Sequence, residues 1–203
     1  MGAYLQFPIP QKGVARVLEL GSRDGADAKL LRDAFSAEVV AWECNPSSIA
    51  RCRKTFATDG AGLRLVEAAA WNDPGEISFY PVVNGNYGAS SCFEANHEYP
   101  FEWPYQQTRI TVPAKRVDDD CAEHDWWPDL MCVDLQGAEL AAFGGCEKAL
   151  TNARHLVTEV QHIALYLNTP LLPDITAALA AFGFHLRDIK NVNTWFGDAW
   201  FAK

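Results

Sequence analysis

Apolar positions in the first third of the chain form two kinds of run. Residues 14–20 (Val-Ala-Arg-Val-Leu-Glu-Leu) read as a buried strand stopped by Gly21. Residues 38–43 and 63–70 read as two more strands. Between the first two, Ala26, Leu30, Leu31, Ala34 and Phe35 recur at helical spacing. Asn45 followed by Pro46 is an N-cap with proline at the first helical position, opening a helix that runs to about Phe56. Strand–helix–strand–helix–strand is the signature of a parallel sheet with right-handed crossovers.

The middle of the chain breaks this rhythm. Residues 76–83 and 108–114 read as strands, and residues 84–107 between them are rich in Gly, Asn, Ser, Tyr and Pro. Connections of this length are usually lids or binding loops. The α/β pattern then returns. A strand at 129–135 ends in a polar cluster, a helix follows through Leu150, and another strand covers 155–160. Residues 171–182 form an amphipathic helix closed by Gly183, and 184–189 and 200–202 read as a final antiparallel pair. The expectation is an α/β fold in one domain over residues 1–203, its only large elaboration at 84–107, with no internal repeat.

Composition narrows the class of partner. Of 203 residues 49% are apolar, which suits a globular core, and 26 acidic against 17 basic residues give a net charge of −9. So acidic a chain is poorly suited to a phosphate backbone, so no nucleic-acid partner is expected and a small molecule is favoured. Cys44, Cys52, Cys92, Cys121, Cys132 and Cys146 show no C-x-x-C spacing and no adjacent His cluster, so no metal site is expected. They read as reduced thiols of a cytoplasmic protein. The N-terminus lacks a basic segment followed by an apolar one, and its Met-Gly start carries Gln6 where myristoylation favours Ser or Thr. The longest charge-free stretch, 77–93, is too polar to cross a bilayer, so no membrane partner is expected; a homo-oligomer is left open.

In an open α/β sheet, ligands sit beyond the carboxyl ends of the strands near the switch in strand order. The residues there are Glu19-Leu20-Gly21-Ser22-Arg23-Asp24-Gly25, Glu43-Cys44-Asn45, Ala69-Ala70-Trp71-Asn72-Asp73, Asp134-Leu135-Gln136-Gly137, and Glu159 with His162. This rim is acidic and polar. A dinucleotide fingerprint needs glycine at positions 23 and 26, which are Arg23 and Ala26, and no P-loop is present. What remains is acidic-x-Gly-x-x-x-Gly. Glycines there let a ligand approach the backbone, Glu19 can hold a cationic amino group, and Glu43 can accept both hydroxyls of a ribose. A cofactor with a ribose and a charged amino acid but no pyrophosphate fits: S-adenosylmethionine. The blander alternative is a tight turn at Gly21 and a solvated Glu43.

These residues resemble the FkbM family of S-adenosylmethionine-dependent methyltransferases from Val17 onward. The most specific match is Val133-Asp134-Leu135-Gln136-Gly137-Ala138-Glu139 followed by Phe143-Gly144-Gly145, similar to that family's D-x-Q/E-G-A-E block. Leu20-Gly21-Ser22-Arg23-Asp24-Gly25, Gly88-Ala89-Ser90-Ser91, Val117-Asp118 and Val157-Thr158-Glu159-Val160 support it. The resemblance implies a class I methyltransferase (Rossmann-like) fold, a mostly parallel seven-stranded sheet with helices on both faces and an antiparallel last strand. It also implies methylation of a hydroxyl on a sugar or natural product. Arg23 stands where the family usually has Asn, and Cys132 where a Lys commonly precedes the block.

The expected cofactor-binding residues are Glu19, Gly21, Ser22, Arg23, Gly25, Glu43, Cys44, Ala70, Asn72, Asp134 and Gln136, with Ala70 and Asn72 near the adenine. Asp134 is placed at the reacting centre, to orient or deprotonate a hydroxyl or to hold the cofactor's amino group. Glu159 and His162 are further catalytic candidates, the latter as a general base. Glu139 reads as a helix-dipole partner. An acceptor is expected to meet Ser90 and Ser91 and the aromatic rings Tyr87, Tyr99, Phe101, Trp103 and Tyr105 of the central loop. The competing readings are an N-methyltransferase, a non-catalytic module keeping the pocket, and a nicotinamide reductase.

Overall fold

A computed structural model of the chain describes residues 3–98 and 105–203. The first half builds β1 (Arg16–Leu20), α1 (Ala26–Phe35), β2 (Glu38–Trp42), α2 (Pro46–Thr58) and β3 (Leu63–Val66). The Asn45 side chain accepts from Ser47 N–H and so caps α2, with Pro46 at its first position. The elements β4 (Ala69–Ala70), β5 (Gly75–Phe79), β6 (Val82–Asn84), β7 (Gln106–Gln107) and β8 (Ile110–Lys115) follow. The second half comprises α3 (Val117–Glu123), β9 (Leu130–Val133), α4 (Glu139–Phe143), α5 (Glu147–Asn152), β10 (His155–Gln161), α6 (Leu172–Ala180), β11 (His185–Lys190) and β12 (Phe196–Ala202).

Seven strands form the main sheet in the order β11-β12-β10-β9-β1-β2-β3. From β3 to β10 all pairings are parallel, whereas β12 runs antiparallel to both β10 and β11. Strand order reverses between β1 and β9, and Leu20 pairs with both Trp42 and Val133, so three strand ends are level there. Alternation divides the core. Leu18, Leu20, Val40, Trp42, Met131, Val133 and Leu156 pack on the face covered by α3 to α6, and Val17, Val39, Ala41, Cys132 and Val157 on the face covered by α1 and the N-terminal turn. Among the described residues no helix is long and apolar enough to cross a membrane.

Four elements differ from the sequence expectation. The run 63–70 is two strands: β3 stays in the main sheet, while β4 leaves it to pair with β8 in a small sheet ordered β4-β8-β5. Both halves are largely apolar, so periodicity reads them as one. The run 76–83 is likewise divided into β5 and β6, with Pro81, which has no N–H to donate, between them. The helix expected through Leu150 is broken at Gly144-Gly145, where a Cβ on Gly145 would lie 2.0 Å from the Trp71 carbonyl oxygen. The unexpected α3 is only seven residues long and carries three aspartates in its first turn, after Val117. Its Asp118 carboxylate accepts from Lys148 N–H and Ala149 N–H at the start of α5, and Arg64 forks onto Asp120 at 2.9 and 2.6 Å.

Candidate active site

A cleft opens over the ends of β1, β2 and β9. The β1–α1 loop supplies Gly21 and Arg23, the β2–α2 loop Glu43, Cys44 and Asn45, α2 Ser48, and β4 Ala69 and Ala70. Asp134, Leu135 and Ala138 form the wall beyond β9, and Phe79, Tyr87, Ser90 and Cys92 come from the middle of the chain. Gly21 is the narrow point: its φ is +90°, and a Cβ there would lie 1.9 Å from the Asp134 carbonyl oxygen.

Glu43 is buried and gripped by the backbone. Its Oε2 accepts from Arg23 N–H at 2.7 Å, and its Oε1 from Cys44 N–H and Asn45 N–H, both at 2.8 Å. Burial still holds its pKa above the usual carboxylate range. Trp42, one residue earlier, lines the same cleft, and among the described residues its buried indole N–H has no hydrogen-bond partner. At the mouth, the Arg51 guanidinium stands 5.3 Å over the Tyr87 ring, and the Arg23 side chain is 57% exposed.

Beyond β9 and β10, the Gln136 carboxamide donates to Asp134 Oδ1 at 2.6 Å and to Glu159 Oε1 at 3.0 Å. Burial raises the pKa of both acids. Asp198, opposite Glu159 in the β10–β12 pair, raises them further, while Arg23 pulls Asp134 back. Glu139 has no partner across the cleft. Its Oε1 accepts from Leu135 N–H and Gly137 N–H, closing the turn before α4, and burial pushes its pKa up to about 7.

The structure thus brings Gly21, Arg23, Glu43, Cys44, Ala70 and Asp134 to one cleft, and it leaves the other expected ligands outside its lining. Glu19 lies on the Val17 face of β1 and is 1% exposed. Ser22 is buried behind the loop, and its hydroxyl lowers the Glu19 pKa against the effect of burial. Gly25 backs onto the Phe56 ring, 2.6 Å from where its Cβ would be. Asn72 is exposed and gives its carbonyl to the Arg116 guanidinium. Gln136 stands behind Asp134. His162 is half-buried, and among the described residues its Nε2 has no partner.

Of the aromatic candidates, Tyr87 lines the cleft, and Tyr99, Phe101 and Trp103 lie outside the described residues. Ser90 lines it too, whereas Ser91 donates to the Gln136 carbonyl at 2.8 Å. Sequence reasoning missed Trp42 and Tyr166. Trp42 is hidden as one apolar residue of a strand. Tyr166 lies in 162–170, where no periodicity marks a role.

Glu19 carries a pH prediction. Burial, reinforced by Asp27, Glu43 and Asp24, pushes its pKa from 4.5 up to about 8. Between these values the folded state holds a proton that the unfolded state has lost, so stability falls as pH rises from about 4.5 to about 8. The full cost is about 5 kcal/mol. In Glu19→Gln that charge cannot form. Urea midpoints should therefore shift in the variant's favour, relative to wild type, from pH 5 to pH 8.5. A constant difference across that range would contradict the assignment.

Comparisons with known proteins agree with this architecture. The chain is 32% identical over 159 residues to the 2-O-methyltransferase NoeI of Sinorhizobium fredii, an alignment covering 74% of this chain and 65% of that protein. The chain therefore spans just under two thirds of that relative's length. Among solved structures, the Methanococcus jannaschii fibrillarin pre-rRNA processing protein superposes with a TM-score of 0.56 at 12% identity, covering 96% of this chain and 68% of that one. Magnesium protoporphyrin IX methyltransferase of Synechocystis PCC 6803, solved with bound SAM, gives 0.54 at 10% identity over 95% and 71%. These likenesses show a shared fold, that of the class I methyltransferases. The methyltransferase FkbM domain model matches residues 19–186, and the chain belongs to that family.

Proposed function

We propose that the chain is an S-adenosylmethionine-dependent O-methyltransferase acting on a hydroxyl of a sugar or other natural-product small molecule. The observation that carries this reading is the placement of Glu43 and Asp134 in the lining of one cleft at the switch in strand order. The 2-O-methyltransferase relative supports a hydroxyl as acceptor.

The residues present fit such a cofactor. Gly21 leaves a cradle that a Cβ would close, and the unpartnered Trp42 N–H is a buried donor awaiting an acceptor. Glu43 has about four acceptor positions and spends three on backbone amides, so it keeps one for a ribose hydroxyl. Arg23 at the mouth suits a carboxylate, and Ala69, Ala70 and Phe79 offer an apolar slot for a base. When bound, S-adenosylmethionine supplies an electrophilic methyl group on a sulfonium.

The chain's own task is then to place an acceptor hydroxyl and take its proton. Of the two acids in the cleft lining, Glu43 is taken up by three backbone amides, whereas Asp134 has one oxygen held by Gln136. Its other oxygen, Oδ2, is the base we assign. A second cavity of about 470 Å³ shares Cys92 with the cleft. Its Tyr80 and Phe93 rings beside Glu94 and Asn168 would suit a polyhydroxylated acceptor.

Thermal-shift measurements test the cofactor reading. A ligand at about 100 times its Kd adds about 2.7 kcal/mol, or roughly 5–10 °C for a chain of this size. S-adenosylmethionine and S-adenosylhomocysteine are expected to give such shifts. Stabilisation by NADH alone, or by none of the three, would overturn the proposal. Methyl transfer to amines but not to hydroxyls would leave the cofactor reading intact and replace the acceptor.

A further inference from the structure

Gln136 has the backbone of a residue held for a purpose. Its φ is +52°, in the left-handed region that side-chain-bearing residues seldom occupy, and Gly137 beside it is at +98°. In this pose the carboxamide and the backbone carbonyl of Gln136 are all engaged. The carboxamide nitrogen reaches both Asp134 Oδ1 and Glu159 Oε1, and Oε1 lies 2.9 Å from the Tyr166 hydroxyl. The backbone carbonyl accepts from Ser91. Tyr166 is fully buried, and its hydroxyl is also 3.0 Å from the Ala89 carbonyl; having one proton, it donates to one of the two at a time. The network therefore joins the ends of β9 and β10 to the segment carrying Tyr87 and Ser90, which line the cleft.

We propose that Gln136, braced by Tyr166, is a positioning residue: its carboxamide orients the Asp134 carboxylate at the cleft and separates it from Glu159. This rests on the reading of Asp134 as the group beside the reacting atoms, and it replaces the expectation that Gln136 contacts the cofactor. A donor held at one carboxylate oxygen favours the ionised form and leaves the other oxygen for an acceptor. The groups facing Asp134 are Arg23 after β1, Glu43 after β2, Glu139 of α4, Glu159 of β10, Asp198 of β12, Tyr4 of the N-terminal turn and Tyr166. Of these only Arg23 is a cation, so the Gln136 amide is a principal neutral counterweight to the acids.

The test is the titration of the Asp134 side-chain carboxyl carbon by 13C NMR in the protein without cofactor. Losing the donor should move its midpoint up, by about half a pH unit in Tyr166→Phe and about one unit in Gln136→Asn. Asparagine tolerates the left-handed backbone but is too short to span both acids. Glu159→Gln removes the neighbouring charge and should move the midpoint down. Midpoints superimposing on wild type in Tyr166→Phe and Gln136→Asn would overturn the proposal, as would a shift in Gln136→Asn alone, which would dismiss the brace. Should Tyr166→Phe not fold, Gln136→Asn decides. S-adenosylhomocysteine affinity should stay within about threefold of wild type in both, because Gln136 is outside the cleft lining. A wild-type protein that binds neither S-adenosylhomocysteine nor S-adenosylmethionine indicts the cofactor reading, whereas unmoved midpoints indict the positioning role.

Discussion

Gly21→Ala is expected to lower the melting temperature by roughly 10 °C and to abolish measurable S-adenosylmethionine binding. Two costs combine. Alanine at a φ of +90° is strained by about 1–2 kcal/mol. Its Cβ would also stand 1.9 Å from the Asp134 carbonyl oxygen and 3.0 Å from its carbonyl carbon, both backbone atoms that yield only if the end of β9 moves. Such overpacking adds about 1–3 kcal/mol, and each kcal/mol is worth roughly 2–4 °C at this chain length. Gly183→Ala is the matched control. Its φ is +82° but nothing lies within 4 Å of the added atom, so it bears the backbone strain alone. Thermal unfolding of the pair isolates the contact with Asp134. Equal losses in the two variants would show that β1 and β9 do not meet as described.

Glu43→Gln is expected to cost more than its near-identical shape suggests. The carboxylate accepts from Arg23, Cys44 and Asn45 N–H groups on two oxygens. A carboxamide offers one oxygen, so in either orientation an NH2 group faces at least one backbone N–H. Each buried donor left unmatched costs about 1–3 kcal/mol. The better orientation keeps Cys44 and Asn45 and sacrifices Arg23, loosening the β1–α1 loop that carries Gly21. A drop of about 2 kcal/mol in urea-derived stability is expected, with S-adenosylhomocysteine affinity falling about 100-fold by calorimetry, since a donor replaces the acceptor offered to the ribose. Glu43→Ala strands all three amides and should lose more stability, though it relieves the burial of the charge. Wild-type affinity in Glu43→Gln would remove Glu43 from the cofactor site.

Much of this arrangement is legible in the chain. Helix α1 falls where the apolar spacing places it, α2 begins at the Asn45-Pro46 signal, and the terminal antiparallel pair appears where two apolar runs end the sequence. The acids at the ends of β1, β2, β9 and β10 read as the functional rim, and two of them, Glu43 and Asp134, line the cleft. The failures have a common origin. Residues 63–70 look like one strand because burial is continuous across the change of sheet. The break at Gly144-Gly145 answers to the Trp71 backbone, more than seventy residues away in the chain.

Sequence by itself determined the α/β rhythm, the glycine-bearing loop and the concentration of carboxylates at strand ends, because these follow from local periodicity and from where ladders stop. Only the tertiary structure decided which carboxylates serve the cleft. Glu19 and Glu43 are equivalent in the sequence pattern, each near the end of a parallel strand. Yet the two-residue alternation puts Glu19 on the Val17 face beneath α1, while Glu43 lies beyond the end of β2 among backbone amides. The chain likewise says nothing of Tyr166, whose hydroxyl reaches Gln136 across thirty positions. Local sequence specifies which residues share a face of an element. Which face meets a cavity, and which distant donor satisfies a buried acid, depends on how the elements pack.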